Sequence, residues 1–236
     1  MTADPSAEPA ADVSPLGSVV RARRELAAAI RRGDYKPNQR LVESELTAAL
    51  GVSRPTLRAV FVALEQENYI MLERNRGARV RQFSPTEAIE ILEAREIIES
   101  AMAGLAATKI TQTECDELES IVKQMIEADH VGDGQLYSAC NRKFHARILV
   151  AARQPTLAQF IAATPYPLVM SQYRDLLTRH PREGSLREHQ AVLAALRIGN
   201  RVAAEAGMRH HLAAARRALT LNRAGQADGA DPARPG

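Results

Sequence analysis

The feature of the sequence that most constrains the fold is the stretch "GVSRPTLRAVFVALEQENYI", from Gly51 to Ile70. Ser53 is a preferred N-cap residue, and Pro55 falls in the first turn, where a missing backbone N–H costs no helical hydrogen bond. The apolar residues that follow recur at helical spacing, at Leu57, Val60, Phe61 and Leu64. We therefore predict a helix over about 54–68 that buries one face and exposes polar side chains at its N-terminal end.

The segments on either side of this helix complete a recognisable order. Helices are predicted near 16–32 and 43–50, and two short strands, "YIMLE" and "ARVRQ", follow, joined by the turn "RNRG". A helix, a helix-turn-helix and a β-hairpin in that order predict a winged helix-turn-helix over residues 16–83.

The polar side chains at the start of the third helix are of the kinds that contact DNA. The candidates are Ser53, Arg54, Thr56 and Arg58, and the hairpin tip adds Arg74, Arg76 and Gly77. Arginine can chelate the O6 and N7 atoms of guanine, and hydroxyl groups reach phosphates or base edges. A solvated basic helix would explain any one arginine, but the capped helix, the hairpin and the charge together favour DNA binding.

The charge distribution agrees with that interpretation. Residues 16–83 contain 13 Lys and Arg against 7 Asp and Glu, whereas residues 84–222 contain 16 of each. Because the net positive charge is concentrated in the first third, that part is expected to meet a polyanion.

The sequence of residues 84–222 predicts an antiparallel all-α bundle. The whole chain is therefore predicted to be mainly α. Ser84, Pro85 and Glu87 form a helix-start signal. Six helices are predicted near 85–108, 112–130, 133–151, 154–178, 182–199 and 201–221. Pro165 and Pro167 should bend the fourth of them.

Composition excludes several protein classes. Residues 1–15 and 223–236 lack apolar periodicity and are predicted to be disordered tails. With two cysteines in no pairing pattern, no run long enough to span a membrane and no secretory signal, we predict a cytoplasmic protein without membrane partners.

Three histidines of the second half lie on apolar helix faces. His145 follows Asn141 by four residues, so both project from one face, and His189 and His211 align with leucines on two other helices. Three imidazoles and one oxygen suit Zn²⁺, Ni²⁺, Co²⁺ or Mn²⁺ and leave positions open for a ligand. The alternative is that each histidine is a core residue satisfied by a hydrogen bond.

The first domain resembles the GntR-type bacterial transcription regulators. The segment "PNQRLVESELTAALGVSRPTLRAVFVALEQENYIMLERNRGARV" contains the SR-x-x-LR block and the N-x-G-x-x-V wing of that family. The resemblance implies that Ser53, Arg54, Thr56, Arg58 and Gly77 contact an operator in double-stranded DNA.

The second domain resembles the FCD domain of the FadR branch of these regulators. The "FH" of "NRKFH", the "EH" of "LREHQAVLAAL" and the "HHL" of "GMRHHL" fall where the family's motifs do, and six helices indicate the VanR-like subgroup. The resemblance implies a divalent metal, with Zn favoured over Ni or Mn, held at Asn141, His145, His189 and His211. Asn141 replaces the family's Asp, so we expect weaker metal binding.

Open positions on such a metal favour a small organic acid as effector, because its carboxylate can chelate the ion. Arg95 is flanked by apolar residues at helical spacing and matches the Arg that holds an effector carboxylate in the family; a pair with Glu99 or Glu96 is the alternative. Tyr173 and Arg174 are further pocket candidates.

The predicted function is a homodimeric, ligand-responsive repressor that reads two operator half-sites. Three alternatives stay open: a metal-free regulator with an apolar or acyl effector, a metal sensor, and a metal-dependent enzyme. The enzyme is disfavoured because no HExxH, GxSxG or phosphate-binding glycine loop occurs.

Overall fold

The computed structural model describes residues 15–74, 77–173 and 182–228. The chain divides between Gln82 and Phe83 into two compact units, each of which has its own core. The division lies one residue before the predicted one. No described helix is long and apolar enough to cross a membrane.

The first unit contains three helices and a small sheet. The helices are α1 (Pro15–Arg32), α2 (Glu43–Leu50) and α3 (Arg54–Gln66), and the strands are β1 (Arg40–Leu41), β2 (Ile70–Glu73) and β3 (Gly77–Val80). The antiparallel sheet has the order β1-β3-β2, with Arg40 opposite Arg79 and Ile70 opposite Val80. The winged helix-turn-helix prediction is confirmed, although β1 falls where only a loop was expected.

The helix-turn-helix is built by the local signals read in the sequence. The Ser53 hydroxyl accepts a hydrogen bond from the backbone N–H of Thr56 at 3.3 Å, which caps α3. Gly51 ends α2 with a φ of 61°, a left-handed conformation that glycine adopts without strain. The apolar stripe of α3 is buried as predicted, at Leu57, Val60, Phe61 and Leu64.

The second unit is an all-α bundle with seven helices among the described residues. They are α4 (Pro85–Ala107), α5 (Gln112–His130), α6 (Gly134–Ala151), α7 (Pro155–Ala162), α8 (Tyr166–Gln172), α9 (Arg182–Arg197) and α10 (Arg201–Asp228). Helix α4 packs extensively on α10, and α5 packs on α6. At the first of these contacts Gly104 lets the backbones approach, because a Cβ there would lie 3.3 Å from the Arg201 carbonyl oxygen.

Two helix predictions in this unit are wrong. Up to residue 173, the predicted fourth helix is two short helices, α7 and α8. Pro165 lies between them as the N-cap of α8, and Pro167 occupies the first turn of α8, so the chain restarts a helix here instead of bending one. Residues 174–178 of the prediction lie outside the described residues. The inference of a six-helix subgroup therefore has no support from the helix count. The last helix runs to Asp228, past the predicted end.

The start of α5 offers a test of local helix stability. Thr111 and Glu114 form a reciprocal capping box: the Thr111 hydroxyl accepts from the Glu114 N–H, and a Glu114 carboxylate oxygen accepts from the Thr111 N–H at 2.9 Å. We expect Thr111→Ala to lower the free energy of unfolding by about 1 kcal/mol in urea titrations.

Thr113→Ala is the matched control, since Thr113 is exposed in the same turn and caps nothing. Its unfolding free energy should stay the same or rise slightly, because Ala favours helix over Thr. Equal losses in the two variants would contradict the capping box.

Candidate functional site

Three histidines from three helices meet inside the second unit. His145 of α6, His189 of α9 and His211 of α10 each offer a ring nitrogen, and these nitrogens all lie within 4.8 Å of one another. His189 is fully buried, His145 is 2% exposed and the His211 side chain is 11% exposed. The convergence predicted from the helix faces is therefore present in the structure.

The Nδ1 atom of each ring is the outer nitrogen, which faces away from the other two rings and lies beside a hydrogen-bond acceptor. The Nδ1 atom of His145 lies 2.6 Å from a carboxylate oxygen of Glu99, and that of His211 lies 2.9 Å from a carboxylate oxygen of Glu188. The Nδ1 atom of His189 lies 2.6 Å from the Ser185 carbonyl oxygen. Carbonyl and carboxylate oxygens only accept, so Nδ1 carries the proton in all three rings.

The inner nitrogens consequently point their lone pairs at one another. The Nε2 atoms of His145 and His211 are 3.3 Å apart, and with both protons on Nδ1 neither nitrogen can donate to the other. Lone pairs that face one another repel, and a cation bound between them would remove that repulsion. Three neutral imidazole nitrogens, each fixed from behind by an acceptor, are the donor set that Zn²⁺ and related ions take, so these residues fit a metal.

Asn141 supplies the fourth polar group. Its Oδ1 atom lies 2.8 Å from Nε2 of His189, on the inner side of the cluster. This is the position predicted for the oxygen ligand of a metal. A half-turn of the amide would instead present its NH₂ group, which could donate to His189. Asn141 can therefore serve a bound cation or close the network without one.

Burial keeps the imidazoles of His145 and His189 neutral. Burial lowers the pKa of His145 to about 4, despite the nearby Glu99 carboxylate, which raises it. Burial and then the other two histidines lower the pKa of His189 to about 2. Burial by itself would raise the pKa of Glu99, but the charge of Arg95 and the interaction with His145 outweigh it and hold that pKa well below its usual range. His145 and His189 are thus unprotonated at Nε2 at neutral pH, as metal ligands must be.

Arg95 is buried, and its charge is already paired with the carboxylate of Glu99. Its Nε–H donates to Oε1 of Glu99 at 2.6 Å, so the structure contains the intrahelical pair that was the alternative to effector binding. The guanidinium also lies 4.3 Å from the centre of the Tyr166 ring, a cation–π contact. Tyr166, Arg95, Glu99 and His145 thus form a continuous series of contacts.

The other two predicted effector residues have different outcomes. The Tyr173 hydroxyl donates to the Phe83 carbonyl oxygen at 2.8 Å, which gives it a structural contact at the start of the second unit. Burial, then the charge of Glu87, raises the pKa of Tyr173. Arg174 lies outside the described residues.

The predicted DNA contacts lie at the exposed start of α3. Ser53, Arg54 and Arg58 are exposed and Thr56 is half-buried, its hydroxyl 2.8 Å from that of Ser53. Gly77 begins β3 with a φ of 85°, as the tight wing turn requires. Arg76 lies outside the described residues.

Other arginines of the first unit have partners within it. Arg31 donates to the Tyr69 hydroxyl at 2.6 Å, and Arg79 donates to Glu73 at 2.9 Å. By contrast, Arg54 and Arg58 form no hydrogen bond or ion pair with any residue that the structure describes. Their charges remain available to a ligand.

Comparison with known proteins agrees with both halves of this description. Residues 19–80 match the bacterial regulatory proteins of the gntR family, and residues 90–214 match the FCD domain. The chain belongs to the FCD-containing regulators of the GntR family. It is therefore a transcription regulator, with a DNA-binding domain of the kind that recognises operators.

Curated relatives extend the similarity over most of the chain. The regulator is 27% identical to a D-xylose utilization operon repressor of Paenarthrobacter nicotinovorans, covering 73% of this chain and 75% of the relative. It is 26% identical to LutR of Bacillus subtilis, covering 78% and 92% respectively. It is 25% identical to the galactonate operon repressor of Escherichia coli K12, covering 76% and 87%.

Solved structures share the fold. The regulator superposes on E. coli McbR/YncC with a TM-score of 0.69 at 21% identity, covering 91% of this chain and 99% of the other. A GntR regulator from Rhodococcus sp. RHA1 gives a TM-score of 0.70 at 22% identity, covering 86% and 97%.

Sequence reasoning missed the residues that orient the imidazoles. The sequence indicated Glu99 only as a possible partner of Arg95, and it did not predict a role for Glu188 or Ser185. The available signal was the spacing of Glu99, four residues after Arg95 on the same helical face. No comparable signal existed for Ser185, whose backbone carbonyl is the acceptor.

The buried imidazoles predict how stability depends on pH. The unfolded chain takes up protons on these histidines as pH falls below about 6.5. Folded His145 stays neutral down to about pH 4 and His189 to about pH 2. Stability is therefore expected to fall as pH falls from about 6.5 to 4, by up to about 1.4 kcal/mol per pH unit for each histidine.

Urea titrations in a chelating buffer would measure this slope. His145→Asn should make it shallower, since the Asn amide can still donate to Glu99 but does not titrate. The same change at exposed His130 controls for loss of an imidazole elsewhere. A slope unaffected by His145→Asn would contradict the assignment.

Proposed function

We propose that this regulator is a ligand-responsive repressor whose FCD domain binds a divalent metal, Zn²⁺ in preference to Ni²⁺ or Mn²⁺, and through it a small carboxylate. The observation that carries the proposal is the convergence of three Nε2 lone pairs with the protons held on Nδ1. His145, His189 and His211 would hold the ion, with Asn141 as the oxygen ligand.

The charge of the site favours an anionic effector. All four ligands are neutral, whereas the family's Asp would contribute a negative charge. The nearest carboxylates, Glu99 and Glu188, are bonded to the outer nitrogens of the rings and do not point at the ion. A metal bound here supplies a Lewis-acidic position with positive charge in excess, which a chelating carboxylate would neutralise.

The state of Arg95 limits its part in effector binding. Since its charge is already matched by Glu99 at 2.6 Å, attraction of a carboxylate would come chiefly from the metal. Small organic acids with a second oxygen beside the carboxylate suit such a centre. A relative is named for the galactonate operon, and galactonate is an acid of this kind.

Metal content is the test of the centre. We expect near-stoichiometric zinc in the untagged protein by mass spectrometry, and tighter binding in Asn141→Asp, because a carboxylate adds one negative charge to the ligand set. His211→Ala should lose the metal.

His130→Ala is the control, because His130 is exposed at the end of α5 and does not belong to the cluster. It should retain the metal of the parent protein. If neither the natural protein nor Asn141→Asp retains or takes up metal, the centre is not a metal site.

The protein would act as a cytoplasmic homodimer, and the start of α3 together with the wing of each subunit would bind operator DNA. The residues in contact with DNA would be Ser53, Arg54, Thr56, Arg58, Arg76 and Gly77. The exposed guanidinium groups of Arg54 and Arg58 support this assignment. Two subunits would read two half-sites of a near-palindrome. An effector that binds one state of the bundle better than another would then change operator affinity by about 5–150-fold.

Arg58→Ala should weaken binding to a DNA fragment selected from a random pool by the natural protein. The expected loss is about 1–3 kcal/mol, the contribution of a bidentate arginine–guanine contact. Fluorescence anisotropy at fixed salt measures the change. Lys143→Ala removes an equal charge from the exposed face of α6 and should leave affinity unchanged; equal losses would contradict a specific role for Arg58.

A metal-free regulator with an apolar or acyl effector is the second candidate. Asn141 favours it, because its NH₂ group could donate to Nε2 of His189 and satisfy that ring without a cation. The metal measurement on the natural protein and on Asn141→Asp separates the two candidates.

A further inference from the structure

The short helix α8 makes polar contacts at both of its ends. At its start, the Tyr166 ring lies 4.3 Å from the guanidinium of Arg95. The Nε–H of Arg95 donates to Oε1 of Glu99, and Oε2 of Glu99 accepts from His145, each at 2.6 Å. Three consecutive contacts thus connect α8 to the three-histidine cluster.

At its other end, α8 holds the backbone of the residue that begins the second unit. The Oε1 atom of Gln172 accepts from the Phe83 N–H at 3.1 Å, and the Tyr173 hydroxyl donates to the Phe83 carbonyl at 2.8 Å. The Phe83 side chain is 2% exposed. Both backbone groups of Phe83 are therefore bonded to the end of α8, at the point where the chain comes from the DNA-binding unit.

We propose that α8 transmits the state of the three-histidine cluster to Phe83, with Tyr166 receiving the change and Gln172 and Tyr173 delivering it. These three are positioning residues and do not contact the DNA or the metal. The inference rests on the proposal that the cluster is where the regulatory ligand binds.

The buried ion pair is what makes transmission strong. Glu99 is 1% exposed and Arg95 6%, so neither charge can leave its partner for water without a large cost. A ligand that repositions His145 consequently moves Glu99 and Arg95 together with it. The Tyr166 ring follows because it packs on the guanidinium face.

Helix α8 is also well suited to carry that movement over its length. Leu168 and Val169 are buried between the two contact ends, so the helix is packed as a body and does not behave as a loose turn. Pro165 and Pro167 restrict the backbone at its start. A displacement at Tyr166 is thus transferred to Gln172 and is not absorbed by the chain between them.

Amide hydrogen exchange of Phe83, followed by mass spectrometry of the full-length protein, tests the inference directly. Tyr166→Leu removes the aromatic face and is tolerated because Tyr166 is half-buried. We expect exchange at Phe83 to speed up by at least about fivefold. Phe160→Leu, an aromatic-to-leucine change at a side chain 60% exposed on α7, should leave it unchanged.

A double-mutant cycle separates transmission from simple loosening of α8. Glu99→Gln weakens the pair with Arg95 and should also change Phe83 exchange in the metal-free protein. That change should vanish when Tyr166 is already Leu. An effect of Glu99→Gln that persists in full beside Tyr166→Leu would overturn the inference, as would unaltered Phe83 exchange in Tyr166→Leu. If Glu99→Gln does not fold, Arg95→Lys takes its place in the same cycle.

Zinc provides an independent arm that distinguishes this inference from the proposed function. If Zn²⁺ binds to both proteins but alters Phe83 exchange only in the natural protein, the metal proposal and the transmission through α8 are both supported. If no metal binds but the mutant cycle shows coupling, the metal proposal fails and transmission through α8 stands. If Zn²⁺ binds and Phe83 responds equally in both proteins, transmission through Tyr166 is wrong and the metal centre stands.

Discussion

The organisation of the second domain depends on one buried carboxylate, that of Glu99. It is stable there only because Arg95 supplies a compensating charge and His145 supplies a hydrogen bond, each at 2.6 Å. That bond fixes the proton of His145 on Nδ1 and turns its Nε2 lone pair inward. Glu188 and the Ser185 carbonyl do the same for His211 and His189. Three acceptors outside the cluster leave three unprotonated Nε2 atoms close together inside it, and this arrangement supports the proposed cation site.

Asn141 is the residue that sets this regulator apart from the pattern its family implies. A carboxylate at this position would bring the fourth ligand and a negative charge together. The amide provides an oxygen without the charge, and its NH₂ group can instead satisfy His189. The proposed consequence is a weak centre in which the excess positive charge of the ion favours an anionic effector. Metal and effector would then stabilise each other's binding, as linkage requires.

The sequence predicted the elements that local signals define. Caps at Ser53 and Ser84 and the periodic stripe of α3 gave the correct helices, and helix-face periodicity brought His145, His189 and His211 to one point. Contacts between distant segments were not predictable in the same way. The strand β1 exists because Arg40 and Leu41 pair with β3. Tyr166 meets Arg95 because the chain breaks at Pro165 and starts the separate helix α8.

Imidazole nitrogen NMR of protein labelled at histidine tests the central claim most directly, because nitrogen shifts distinguish a protonated, a bare and a metal-bound ring nitrogen. In the metal-free protein, His145, His189 and His211 should all carry their proton on Nδ1. Added Zn²⁺ should shift their Nε2 resonances, while those of exposed His130 stay in place. A proton on Nε2 of any of the three, or Nε2 resonances that ignore Zn²⁺, would contradict the claim that the cluster is built to hold a cation.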